Sequence, residues 1–188
     1  VKDFVNDSMI QIKYMSRTLS DFRNFLKPST KKKLFSISKA LTEINEIIGK
    51  QVFYSNIQMS FNYKNENEEL LIYGYENEFK QVLLNLINNA KNKIVEKDFD
   101  YSKKAKIDIN IQRTSTHNII EIADDGGKID ESIINSIFEP YFSTKPNGTG
   151  IGLYMAKVII EDKMRGTITV KNDDNNVIFT IKLPHKKG

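Results

Sequence analysis

The sequence predicts an α/β (α+β) sandwich: one mixed, mostly antiparallel sheet covered by helices on one face and preceded by a long amphipathic helix. Three observations predict it. Apolar residues fall at helical spacing over 38–49, 76–96 and 150–163. Between these stretches lie segments whose apolar residues alternate, as in strands with one buried face. Short polar turns join the later strands in pairs, which makes them hairpins and the sheet largely antiparallel.

The opening segment, to about Lys27, reads as one helix. Val5, Ile12, Leu19 and Leu26 form one row of a heptad seam and Met15 and Phe22 the other, with Ser8 its weak place; Pro28 ends the pattern. Such a stripe is buried either on a partner helix, which predicts self-association, or on the following domain. Residues 1–29 are therefore set apart from a domain over 30–188. Residues 34–37 suit a short strand. Ser38 is the expected N-cap of a helix carrying Ala40, Leu41, Ile44, Ile47 and Ile48.

Ile57, Met59, Phe61 and Tyr63 alternate along a strand. Asn65–Glu69 is a polar turn, and Leu70–Tyr75 a further strand. From Glu76 to about Glu96, Phe79, Val82, Leu83, Leu86, Ile87, Ala90 and Ile94 mark one helix face. Strands follow over Lys106–Arg113 and Asn118–Ala123. A long loop from Asp124 to Thr149 holds a short helix near Glu131–Ser136. A helix over Gly150–Lys163 and a hairpin of Thr167–Lys171 with Val177–Leu183 complete the chain.

Composition narrows the function. The 188 residues suffice for one domain and an extra element, and 39% apolar with 28% charged residues suits a globular chain. Neither a bilayer-length apolar run nor a signal-peptide pattern is present. The lack of cysteine excludes disulfides and thiolate metal sites and fits a cytoplasmic setting. The charge of +4 comes from scattered lysines without interleaved aromatics, so no nucleic-acid partner is expected. Val1 is not an initiator methionine, which suggests a piece of a longer protein.

Three clusters carry candidate chemistry. Asn85 and Asn89, four apart, project from one helix face, and an amide oxygen is a hard donor suited to Mg²⁺ beside a triphosphate. A solvated face in an asparagine-rich chain has the same pattern. Asp124-Asp125-Gly126-Gly127 ends a buried strand: a carboxylate there accepts from an exocyclic amine, and Gly126 lets a flat ring approach. Asp-Gly also marks an ordinary turn. Gly148-Thr149-Gly150-Ile151-Gly152-Leu153 leads into a helix, where exposed N–H groups and the helix dipole attract phosphate. It matches neither the P-loop nor the dinucleotide fingerprint.

In this order the clusters resemble the nucleotide-binding domain, the Bergerat-type ATP-binding fold, shared by histidine kinases, type II topoisomerases, the ninety-kilodalton chaperone and mismatch-repair ATPases. Asn85–Ala90 resembles the N box, Asp124–Gly127 the first glycine box and Gly148–Gly152 the second. Ile137–Lys145 resembles the F box of histidine kinases, and Asn85 stands where the ATPases usually carry an acidic base, so the sensor histidine kinase branch is favoured.

The resemblance implies ATP and Mg²⁺ as cofactors, with adenine read by Asp124 and the metal held by Asn89 with help from Asn85. Gly148, Gly150 and Gly152 would cradle phosphates, and Lys93, Gly126, Lys128, Ile129, Phe142, Thr149, Ile151 and Leu153 would complete the binding site. Lys128 departs from the family's usual glycine. The resemblance also implies a response-regulator receiver domain as partner, a homodimeric parent, cytoplasmic or anchored in the inner membrane, and an acceptor histidine on a helix outside this sequence. His117 and His185 are expected bystanders. A nucleotide-binding signalling module without turnover, or a serine kinase or ATPase on the same fold, is the alternative.

Overall fold

The structure, a computed structural model, describes residues 28–64, 69–97, 104–145, 148–174 and 176–185. The heptad seam of the opening segment and part of the turn expected at Asn65–Glu69 lie outside the described residues.

Five strands form the main sheet in the order β2-β4-β5-β7-β6: β2 (Ile57–Tyr63), β4 (Ala105–Arg113), β5 (His117–Asp124), β7 (Asn176–Pro184) and β6 (Thr167–Asp173). The pair β2–β4 is parallel and the other three are antiparallel, so the mixed, mostly antiparallel sheet is as expected. One expectation needs correction. The short strand β1 (Lys33–Ser36) pairs with β3 (Leu71–Gly74) in a separate two-stranded sheet, not with the main one. Phe35 and Ile72, opposite each other, point into the core, while Leu34 and Tyr73 face out.

Alternation decides what each strand delivers. On β4, Ile107, Ile109 and Ile111 are buried; on β5, Asn118, Ile120, Ile122 and Asp124 are. Helices α1 (Ile37–Tyr54) and α2 (Glu76–Glu96) and the segment α3 (Gly152–Lys157) supply the apolar cover, with Ile44, Ile48, Phe79, Leu83, Leu86 and Ala156 in the same core. Asp124 is thus the last residue of a buried row. It brings a carboxylate to the edge of the core.

Local chemistry shifts three expected boundaries. Ser36, not Ser38, caps α1, because its Oγ accepts from Lys39 N at 3.4 Å while Ile37 N is held by the Leu70 carbonyl. Residues 131–138 form successive turns instead of a helix; Asp130 takes the N–H groups of Ser132, Ile133 and Ile134 through side chain and carbonyl. The last helix begins at Gly152, not Gly150, and continues from Val158 to Lys163 with π geometry.

Candidate nucleotide-binding site

Between α2 and the long loop lies a cavity of about 520 Å³. The structure brings Asn89, Lys93, Asp124, Lys128, Ile129, Phe142, Gly148, Thr149, Gly150, Gly152 and Leu153 to its walls. Asn85, Gly126 and Ile151 are not on the lining. Asn85 stands behind it, donating its amide to the Gly152 carbonyl at 3.4 Å. Gly126 is buried beside Asp124 and Lys93, and Ile151 is 40% exposed.

Helical spacing makes α2 the spine of the site. Asn85, Asn89 and Lys93 follow one another by single turns, all half-buried at the rim of the apolar stripe. Asn85 reaches the glycine loop at one end of this row. At the other, the Lys93 ammonium donates to the Gly127 carbonyl. The same face binds both segments that close the cavity.

Asp124 is 2% exposed, and its Oδ1 accepts from Gly126 N at 2.9 Å. Burial pushes its carboxyl up from the ordinary value, against the Gly126 N–H, Lys93 and Lys97, which pull it down, and with Asp125, which pushes it further up. Burial likewise pushes Lys93 down, opposed by Asp124 and aided by Lys97. A side chain at 126 would place its Cβ 2.7 Å from Asp124 Oδ1 and 3.0 Å from Lys93 Cγ, so glycine permits this close approach.

The loop is pinched at its base. Tyr141 N donates to the Gly150 carbonyl at 3.1 Å, with Tyr141 at φ 65° and Gly150 at φ 66°. A Cβ on Gly150 would lie 2.3 Å from the Tyr141 carbonyl carbon. Pro146 and Asn147, within the loop, lie outside the described residues.

Sequence reasoning missed several residues here. Asn172 on β6 holds Ile129 as a strand neighbour would, its Oδ1 accepting from Ile129 N at 2.9 Å and its Nδ2 donating to Ile129 O at 2.7 Å. Val177 and Phe179 on β7, with Ile133 and Ile137, form apolar wall. Alternation on β7 foreshadows the inward side of Val177 and Phe179; nothing in the sequence marks Asn172. Lys145 and Glu96 meet at 2.9 Å and also line the cavity. His117 begins the strand that Asp124 ends, and so lies far from the cavity.

The site, then, consists of a buried carboxylate, an asparagine row and a glycine loop facing one another, and known proteins resemble this chain in sequence and fold. A family model described as histidine kinase-, DNA gyrase B- and HSP90-like ATPase matches residues 74–187. Sporulation kinase C of Bacillus subtilis (strain 168) is 26% identical over 187 residues, 98% of this chain and 42% of the relative. The nucleotide-free catalytic domain of histidine kinase ThkA superposes with a TM-score of 0.71 at 30% identity, covering 82% of this chain and 96% of that domain. ThkA in complex with response regulator protein TrrA shares the fold, with a TM-score of 0.68 at 23% identity over 96% of this chain and 50% of the other. The chain belongs to the family of histidine kinase-, DNA gyrase B- and HSP90-like ATPases. Within it, the matched region is the ATP-binding catalytic domain of a sensor histidine kinase. The chain spans less than half the length of its curated relatives, 42% of sporulation kinase C and 27% of sporulation kinase A.

Proposed function

We propose that this domain holds ATP with Mg²⁺ in the cavity beside α2 and transfers the γ-phosphoryl group to a histidine outside residues 1–188. The observation that carries the reading is the row Asn85, Asn89, Lys93, bonded at one end to the glycine loop and at the other to the turn after Asp124. At 1.5 Å per residue the row is about 12 Å long, comparable to a nucleoside triphosphate. Asp124 would accept the adenine amine, and Ile129, Phe142 and Leu153 would flank the ring. The backbone N–H groups of Gly150 and Gly152, with Gly148, Thr149 and Lys128 beside them, would meet the phosphates.

The donor set suits Mg²⁺. Among the described residues no group of three His, Cys, Asp or Glu side chains would hold a metal alone. The Asn89 amide oxygen would supply one hard ligand, with the triphosphate and water supplying the rest. Asn85, behind the lining, would assist indirectly by holding the Gly152 carbonyl of the glycine loop with its Nδ2. Bound there, the ion would neutralise phosphate charge, and the protein's own part is positioning.

The acceptor histidine belongs, in this reading, to the dimerisation bundle of a homodimeric parent. A receiver-domain aspartate would then take the phosphate in the cytoplasm, a partner suggested by the ThkA complex with its response regulator. The test is calorimetric titration with a non-hydrolysable ATP analogue, with and without Mg²⁺, followed by γ-labelled ATP with the parent's histidine-bearing hairpin. Metal-strengthened binding and label on histidine are expected. Binding without transfer would favour a signalling module without turnover, and no binding would refute the reading.

A further inference from the structure

We propose that Asn172 is a positioning residue of the nucleotide site: from β6 it holds Ile129 in the cavity wall and keeps the base subsite formed before a ligand arrives. This deepens the proposed function and rests on it, because Ile129 is there a flank of the base.

Asn172 lies on β6, an edge strand of the main sheet, opposite Val177 of β7. On that edge its side-chain amide takes the part of a neighbouring strand. Oδ1 accepts from Ile129 N at 2.9 Å, while Nδ2 donates to Ile129 O and to Glu131 Oε1, each at 2.7 Å. The orientation of the amide is forced: the Ile129 N–H needs an acceptor, and the Ile129 carbonyl and Glu131 carboxylate need donors. Both N–H donors are taken by the protein, and Asn172 itself is not on the cavity lining. It acts on the site through Ile129, which packs half-buried against the core and lines the cavity.

The chain after Ile129 is fixed as well, since Asp130 takes the N–H groups of Ser132, Ile133 and Ile134. The other tie of the loop, from Tyr141 N to the Gly150 carbonyl, belongs to the glycine end. Each end of the loop therefore has its own fastening, and Asn172 serves the base end. Without the amide, Ile129 leaves the wall in part of the molecules, and apparent affinity falls with the fraction still ready to bind. That loss is the same for every ligand that uses the base subsite, whatever the number of its phosphates.

The experiment measures amide exchange in the ligand-free chain, then titrates the whole chain with ADP and with a non-hydrolysable ATP analogue, both with Mg²⁺. Wild type is compared with Asn172→Leu, with Asn172→Asp, and with Asn172→Asp combined with Glu131→Gln. Leucine keeps the size and removes all three bonds, so exchange at Ile129 should accelerate while the centre of β7 keeps its protection. Both nucleotides should weaken by one factor, about tenfold, with their ratio as in wild type. Aspartate keeps the bond from Ile129 N but sets a charge against Glu131, and Glu131→Gln turns that contact back into a hydrogen bond. The double variant should recover most of the affinity that Asn172→Asp loses. Unchanged exchange at Ile129, unchanged affinity in Asn172→Leu, or absence of rescue overturns the inference alone. So does a loss confined to the ATP analogue, which would put the effect at the phosphates, or exchange that accelerates throughout the chain, which would make Asn172 a folding residue only. Wild type that binds neither nucleotide overturns the proposed function and this inference with it.

Discussion

Lys145 Nζ stands 2.9 Å from Glu96 Oε1, joining the long loop to the last turn of α2 across the mouth of the cavity. The Lys145 side chain is 36% and the Glu96 side chain 59% exposed, so solvent screens the pair and it contributes little to folding, about 0.2–1 kcal/mol. Its larger effect is on ligands. Glu96 occupies the cation that a triphosphate would attract, and its own charge repels the phosphates. Glu96→Gln is expected to tighten the ATP analogue by about two- to fivefold at low salt and Lys145→Gln to weaken it, with both effects shrinking as salt rises. Titration at two ionic strengths checks this. Unchanged affinity in both variants would remove Lys145 from the binding surface.

Asp124 links stability to pH in an unusual sense. Burial raises its carboxyl above the ordinary carboxylate range, so the folded protein holds this proton more readily than the unfolded chain. The group's contribution is therefore best below that range and falls as pH rises through the raised folded value. Asp124→Asn removes the buried charge. It is expected to unfold at higher urea than wild type near neutral pH, to lose that advantage in acid, and to bind no ATP analogue. An equal offset at both pH values would contradict the assignment.

Gly150 and Gly152 differ by two positions and should respond in opposite ways. Gly150 adopts φ 66°, and a Cβ there meets Tyr141 backbone at 2.3 Å, so Gly150→Ala must open the pinch at the base of the loop. A destabilisation of about 1–3 kcal/mol and loss of nucleotide binding are expected. Gly152 begins α3 at ordinary helical geometry, and its Cβ would find only the Asn85 side chain at 3.9 Å. Gly152→Ala should leave the unfolding free energy unchanged or raise it by about 0.4–1 kcal/mol. Thermal unfolding of the two variants separates backbone strain from crowding.

Much of the site was legible because it depends on local periodicity. Four-residue spacing put Asn85 and Asn89 on one face, and strand alternation carried Asp124 to the end of a buried row. What was not legible depends on long-range pairing. The sheet β1–β3 joins two four-residue strands from distant parts of the chain, too short for alternation to reveal a partner. The same holds for Asn172, which serves Ile129 across the fold, and for the bond from Lys93, itself expected in the site, to the Gly127 carbonyl 34 positions away. The cap of α1 moved to Ser36 for a related reason: Ile37 N was already bonded to Leu70, which places the helix start one residue after the strand.

Asn118 is the polar tie between the two sheets. It lies on the buried side of β5, 2% exposed, and its Nδ2 donates to the Leu71 carbonyl of β3 at 3.0 Å. Its Oδ1 is buried with no partner among the described residues, so the donor side alone justifies an amide there. Asn118→Ala strands the Leu71 carbonyl and should cost about 1–3 kcal/mol. Asn118→Asp places a charge against that carbonyl and should cost more. The damage should be local: amide exchange at Leu34–Ser36 and Leu71–Tyr73 should accelerate, while β4 and the centre of β5 keep their protection. Nucleotide affinity should persist in Asn118→Ala, because Asn118 sits near the opposite end of β5 from Asp124. Uniformly faster exchange would mean that the small sheet and the main sheet unfold as one unit.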